Sequence, residues 1–100
     1  KMKIEPIHPG EILKTEFLDE FNITAYRLAK DIDVPVNRIT EIINGKRGIS
    51  TETALLLSKY FGLSDNFWIK IQARYDEIIT KAKILGHLES IRPLTLEINT

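Results

Sequence analysis

The feature that most constrains this chain is the rhythm of its apolar residues and the stops that cut the rhythm into short lengths. Leu13, Phe17 and Phe21 recur at i, i+4 and i+8 with Ile12 beside them, so one stripe of a helix faces inward. Pro9 and Gly10 open that helix. Asn22 ends it, because asparagine tolerates the left-handed conformation. Thr24 offers an N-cap hydroxyl to a second helix, whose inner face is Leu28, Ala29 and Ile32. Asp33 and Val34 break it. Pro35 drives Val34 out of the helical region, and its own φ suits the first residue of a third helix. That helix runs to about Asn44 and Gly45 stops it. Ser50 caps a fourth helix, ended by Gly62; it is apolar on most sides and is expected at the centre. Ser64 is expected to cap a fifth, from about Asp65 to Leu85, ended by Gly86. Its inward stripe is Trp68, Ile71, Tyr75, Ile78, Ile79 and Ala82. Five helices in one run make the expected fold all-α, and every cap and stop agrees with the period beside it.

The end of the chain reads differently. Leu94, Leu96 and Ile98 alternate with Thr95, Glu97 and Asn99, a period of two, and Pro93 stands where a strand tolerates proline. A lone strand is not stable in water, so this tail needs a second copy, a partner's sheet edge, or no structure at all. The expected organisation is one helical domain over residues 1–86 and a C-terminal tail, 87–100, whose alternation allows a short strand. One hundred residues suffice for one core.

Composition excludes some chemistry. There is no cysteine, so disulfides and thiolates are excluded, as fits a reducing cytoplasm. No apolar run approaches the roughly 20 residues of a membrane span, and the N-terminus lacks a signal peptide's apolar core. His8 and His87 are the only histidines and have no metal-ligand spacing, so neither metal nor cofactor is expected. His8 reads instead as shaping the start of the first helix. No nucleophile motif or phosphate loop is present, and an enzyme is not expected. Trp68 and Gln72 share a helix face. The reading is a core tryptophan with its ring N–H bonded nearby, or a direct partner contact.

Charge is balanced overall, with 14 cations and 14 anions, but not locally. Residues 1–23 hold three Lys against five Asp/Glu; residues 24–48 hold five Lys/Arg against three. The basic middle coincides with two short helices joined by a tight turn, the elements of a helix-turn-helix. At about 100° per residue, Ile39, Ile42 and Ile43 cluster on one side of the third helix and must face the core. Asn37, Glu41 and Asn44 lie opposite, flanked by Arg38 and Thr40. Short polar side chains on an outward face suit a major groove, where Asn pairs with adenine and Glu accepts from cytosine. Lys46 and Arg47, just beyond the helix, reach for phosphates. The same pattern also fits a solvated helix whose two cations complement its dipole, so a plain helical bundle stands beside the DNA reading.

The stretch "AYRLAKDIDVPVNRITEIINGKR" (25–47) resembles the helix-turn-helix of the lambda-repressor-like (XRE) family. Ala29 matches its small inter-helix residue, Val34, Ile39 and Ile42 its apolar positions, and Asn44 to Arg47 its helix ending. "HPGEIL", "NGKR-IS" and "FW-x-x-x-Q" together resemble the HigA-type antitoxins of toxin–antitoxin pairs, over roughly residues 7–80. The resemblance implies a five-helix lambda-repressor-like DNA-binding domain, a homodimer, repression of its own operon and neutralisation of a HigB-type mRNA-cleaving toxin. The base contacts it points to are Val36, Asn37, Thr40 and Glu41. The phosphate contacts are Tyr26, Arg27, Arg38, Asn44, Lys46 and Arg47. Three positions depart from the family pattern: Asp33 where glycine is usual, Pro35 in place of a capping Ser or Thr, and Val36 in place of a polar base reader. A free-standing repressor without a toxin, and a protein-interaction module of the same fold, are the alternatives.

Overall fold

A computed structural model describes residues 5–95, and every regular element among them is helical. Helix α1 is continuous in three parts: an α-helical start, Pro9–Ile12, a π-helical middle, Leu13–Leu18, and an α-helical end, Asp19–Phe21. Then come α2 (Ala25–Asp31), α3 (Val36–Ile43), α4 (Thr51–Phe61), α5 (Phe67–Lys83) and α6 (Leu85–Ser90).

The starts of these helices are mostly those the caps require. His8 Nδ1 accepts the N–H of Gly10 at 2.9 Å, ahead of Pro9 in the first turn. Thr24 Oγ1 accepts from Arg27 N–H, and Ser50 Oγ accepts from Thr53 N–H. Four ends share one geometry. Asn22, Asp33, Gly45 and Gly62 all have φ between 56° and 75°. At each, the next residue's N–H reaches five residues back: Ile23 to Leu18, Val34 to Ala29, Lys46 to Glu41 and Leu63 to Ser58. This is the Schellman closure, and it satisfies carbonyls that a helix end otherwise leaves open.

Several boundaries and faces differ from the sequence reading. The π-helical turn holds more residues than an α-turn, so the inward stripe of α1 shifts. Leu18, five residues after Leu13, is buried, while Phe21 is exposed and lies stacked against Phe61. Pro35 stands one position earlier than expected, as the N-cap of α3, with its carbonyl accepting from Arg38 N–H at 3.0 Å. Ser64 does not cap α5; its hydroxyl bonds Asn66 Oδ1, and the helix begins at Phe67. Gly86 is not a stop but lies inside α6, since α5 has already closed at Ile84, whose N–H bonds Thr80 O. Helix α4 buries one face, Thr53, Ala54, Leu57 and Ser58, and leaves Leu55 exposed. The alternating tail lies mostly outside the described residues; Pro93–Thr95 are irregular.

The core is Leu13, Leu18, Leu28, Ala29, Ile32, Ile39, Ile42, Ile49, Ala54, Leu57 and Trp68, all buried. Phe17 and Phe67 lie 5.0 and 5.4 Å from the Trp68 ring. That apolar wall explains one correction: the buried Trp68 Nε1 has no hydrogen-bond partner among the described residues. One approach between backbones fixes the orientation of α3. Gly10 is buried, and a Cβ placed on it would stand 1.7 Å from the carbonyl oxygen of Ile42. Only glycine lets α1 come this close to the end of α3.

The inward stripe expected along α5 is divided. Trp68 is buried and Ile71, Tyr75 and Ile78 are half-buried, but Ile79 and Ala82 are exposed. The reason is reach: past Ile78 no other part of the core lies beside the helix. Ile84, Leu85, Leu88 and Ile91 continue this exposed apolar surface through α6.

Candidate nucleic-acid interface

Helix α3 turns its isoleucines as its period requires. Ile39 and Ile42 are fully buried and Ile43 is half-buried. The opposite face is open: Val36, Asn37 and Asn44 are exposed, and Arg38, Thr40 and Glu41 are half-buried along its flanks. No described segment packs over it. Thr40 donates its hydroxyl to the Asn37 carbonyl at 3.2 Å, which ties that side chain to its own helix. Pro35 provides no side-chain cap, so the first backbone N–H groups of α3 are left to solvent or to a ligand.

The turn before α3 holds because Asp33 accepts φ 58°, a conformation that costs an L-residue about 1–2 kcal/mol, and less for Asp than for most. The turn after α3 needs φ 75° at Gly45, and its closing bond, Lys46 N–H to Glu41 O, is 2.8 Å long. Lys46 and Arg47 therefore emerge at a fixed place beside the exposed face.

Two of the expected cations are held by carboxylates. Arg47 bonds Glu41 Oε1 through Nε at 2.9 Å and through its terminal nitrogen at 2.8 Å. Glu41 is thus engaged with its neighbour across the helix end. Arg27 Nε donates to Asp31 Oδ2 at 2.8 Å, and Tyr60 OH donates to the same oxygen at 2.5 Å. The Tyr60 hydroxyl, and after it the Arg27 guanidinium, hold the Asp31 carboxyl below the ordinary carboxylate range. The bond to Asp31 in turn raises both Arg27 and Tyr60. Arg27 and Asp31 are solvent-exposed and Tyr60 is half-buried, so the network orients Arg27 more than it stabilises the fold. Tyr26 is exposed on α2 with no bond of its own among the described residues.

The structure therefore brings Val36, Asn37, Arg38, Thr40, Glu41, Asn44, Lys46 and Arg47 onto one helix and its exit. Tyr26 and Arg27 stand on the adjoining α2. Sequence reasoning missed three supporting residues. Asp31 is four residues beyond Arg27, a helical ion-pair spacing that was legible. Tyr60 comes from α4, and no local signal links it to Asp31. The other missed support is Gln72, whose amide oxygen accepts the Ile49 N–H at 2.8 Å; the "FW-x-x-x-Q" spacing was its only sign.

A helix-turn-helix family model matches residues 15–68, from within α1 to the start of α5. The HigA antitoxin of Pseudomonas aeruginosa, solved with the higBA promoter, superposes with a TM-score of 0.86 at 38% identity, over 91% of this chain and 100% of that one. The chain belongs to the helix-turn-helix family, in its HigA branch. Antitoxin HigA-1 of Vibrio cholerae is 34% identical over 95 residues, 94% of this chain and 89% of that protein. Virulence-associated protein I of Dichelobacter nodosus is 43% identical over 76 residues, 76% of this chain and 70% of that protein. The family is one of DNA-binding regulators and not an enzyme class. The span matched by the family model contains the whole helix-turn-helix and all the candidate contacts but stops short of Gln72, whereas the HigA matches extend over most of α5 and α6 as well. Among the described residues no helix is long and apolar enough to cross a membrane.

Proposed function

We propose that this chain is a cytoplasmic, sequence-specific DNA-binding antitoxin. It represses its own operon as a homodimer and neutralises a HigB-type mRNA-cleaving toxin. The observation that carries the reading is the open outer face of α3, backed by buried isoleucines and bordered by Lys46 and Arg47. The superposition on a HigA held on promoter DNA supports it. Val36, Asn37, Thr40 and Glu41 face base edges, with Val36 suited to a thymine methyl. Tyr26, Arg27, Arg38, Asn44, Lys46 and Arg47 take phosphates and fix the register.

One α3 reads only a few base pairs, so two copies on half-sites about one turn apart supply the affinity. The surface for that pairing comes from the uncovered apolar residues Ile79, Ile84, Leu85, Leu88 and Ile91, from the tail, or from both. Toxin neutralisation rests on kinship with proteins named HigA.

The test is fluorescence anisotropy with the DNA upstream of the gene and with random duplex, alongside Asn37→Ala. Wild type binds its upstream DNA more tightly than random DNA. Asn37→Ala loses preference at one base pair, about 1–3 kcal/mol of discrimination. Equal affinity for both DNAs would remove the repressor reading, and failure to co-purify with the product of a neighbouring toxin-sized gene would remove the antitoxin half.

A further inference from the structure

Lys46 and Arg47 occupy a two-residue span between two fixed points. On one side, Lys46 N–H is bound to the Glu41 carbonyl at the close of α3. On the other, Ile49 is buried and its N–H is bound to Gln72 Oε1, 23 residues away on α5. Gly48 lies against the same amide: a Cβ there would stand 2.8 Å from Gln72 Nε2 and 3.0 Å from Cδ. The amide is itself oriented, because Nε2 donates to Asp76 Oδ1 at 2.8 Å, one turn further along α5. Asp76 accepts only, so it turns the NH2 toward itself and leaves the oxygen for Ile49.

We propose that Gln72 is a positioning residue for DNA binding. It holds the Lys46–Arg47 span at phosphate height, and Asp76 sets the direction of its amide. Gln72 acts through Gly48 and Ile49 and touches no DNA itself. Burial of Ile49 anchors a side chain, whereas the bond to Gln72 fixes the direction in which the backbone enters α4, and so where the two cations point. The inference rests on the DNA-binding reading above. It adds that α5, which carries the exposed apolar surface, is tied to the DNA face by one amide.

An exchange of groups separates positioning from bulk stability. Gln72→Leu removes the acceptor. Gln72→Glu keeps an acceptor but sets two carboxylates against each other. Gln72→Glu with Asp76→Asn restores one donor and two acceptors, in nearly the same shape and with no change in net charge. Affinity for the upstream DNA is measured across a salt series, with thermal melting of each variant and hydrogen exchange of the Ile49 amide.

Each lost phosphate contact flattens the salt slope by about 0.9, which corresponds to about a five-fold loss near 0.15 M salt, and to about thirty-fold for two. Gln72→Leu and Gln72→Glu are expected to show that loss, a flatter slope and fast exchange at Ile49. The double variant is expected to recover affinity, slope and protection together. Should Gln72→Leu fail to fold, the contrast between Gln72→Glu and the double variant decides. A single variant that is folded and keeps the wild-type slope overturns this inference alone, as does a double variant that stays as weak as Gln72→Glu. No DNA binding by the wild-type chain overturns it together with the reading beneath it.

Discussion

Replacing Gly10 with alanine sets two physical effects against each other in one helix. Alanine is the better helix former by about 1 kcal/mol. Its Cβ, however, would stand 1.7 Å from the oxygen and 2.5 Å from the carbon of the Ile42 carbonyl, and 2.9 Å from Ile43 Cα. These are backbone atoms, so no flexible side chain can swing aside, and α1 and α3 must separate until the nearest contact reaches the ordinary 3.4 Å. Overpacking of this kind costs about 1–3 kcal/mol, and a rigid neighbour puts it at the upper end. The net is a loss of about 2 kcal/mol. In a domain of this size that lowers the melting temperature by about 8–16 °C. Because the displaced element is α3, affinity for the upstream DNA falls as well. Gly86→Ala is the control: it also lies in a helix, and a Cβ there meets nothing within 4 Å. It is expected to stabilise by up to about 1 kcal/mol. Circular dichroism melts of both variants suffice. A Gly10→Ala chain melting at or above wild type would show that the two backbones do not touch, and the account of how α3 is held would be wrong.

Other perturbations bear on the site. Lys46→Ala with Arg47→Ala should weaken upstream and random DNA alike and flatten the salt slope by about 1.8, two phosphate contacts at about 0.9 each; an unchanged slope in anisotropy titrations would remove both residues from the phosphate set. Asp33→Gly relieves a left-handed residue of about 1–2 kcal/mol of strain but makes the unfolded chain more flexible, by about 0.4–1 kcal/mol. Melting should rise by a few degrees, and a fall would mean the Asp33 carboxylate has a partner in solution. Tyr60→Phe removes the largest influence holding Asp31 down, so NMR titration of that carboxyl should move up toward the ordinary value of about 3.9. A depressed carboxyl contributes above its ordinary range and loses that contribution as pH falls, so the Arg27 tether should release only in acid, and at a higher pH in the Tyr60 variant.

The helix ends were readable because the conformation they need is local. Asn22, Asp33, Gly45 and Gly62 carry the residue types that accept positive φ, and all four do so. The open face of α3 was readable for the same reason: the period of Ile39, Ile42 and Ile43 places Asn37, Glu41 and Asn44 opposite them, whatever lies elsewhere. Where the reading failed, a second element was involved. The π-helical turn of α1 exchanged Phe21 for Leu18 in the core, because packing against the rest of the core and not local propensity sets the register there. Trp68 lost its expected hydrogen bond because rings from α1 and α5 enclose it. Gly86 looked like a stop, yet α5 had already closed two residues earlier.

By itself, then, the order of residues determined the helices, their closures and the outward character of α3, since each depends on groups within a turn or two. Tertiary structure alone decided how close α1 comes to α3 and that Tyr60 steadies Asp31. It also decided that Gln72 reaches across 23 positions to hold the exit of α3. Such contacts join distant parts of the chain. Their partners are set by how the helices pack around the buried isoleucines and Trp68, and a linear pattern carries no record of that.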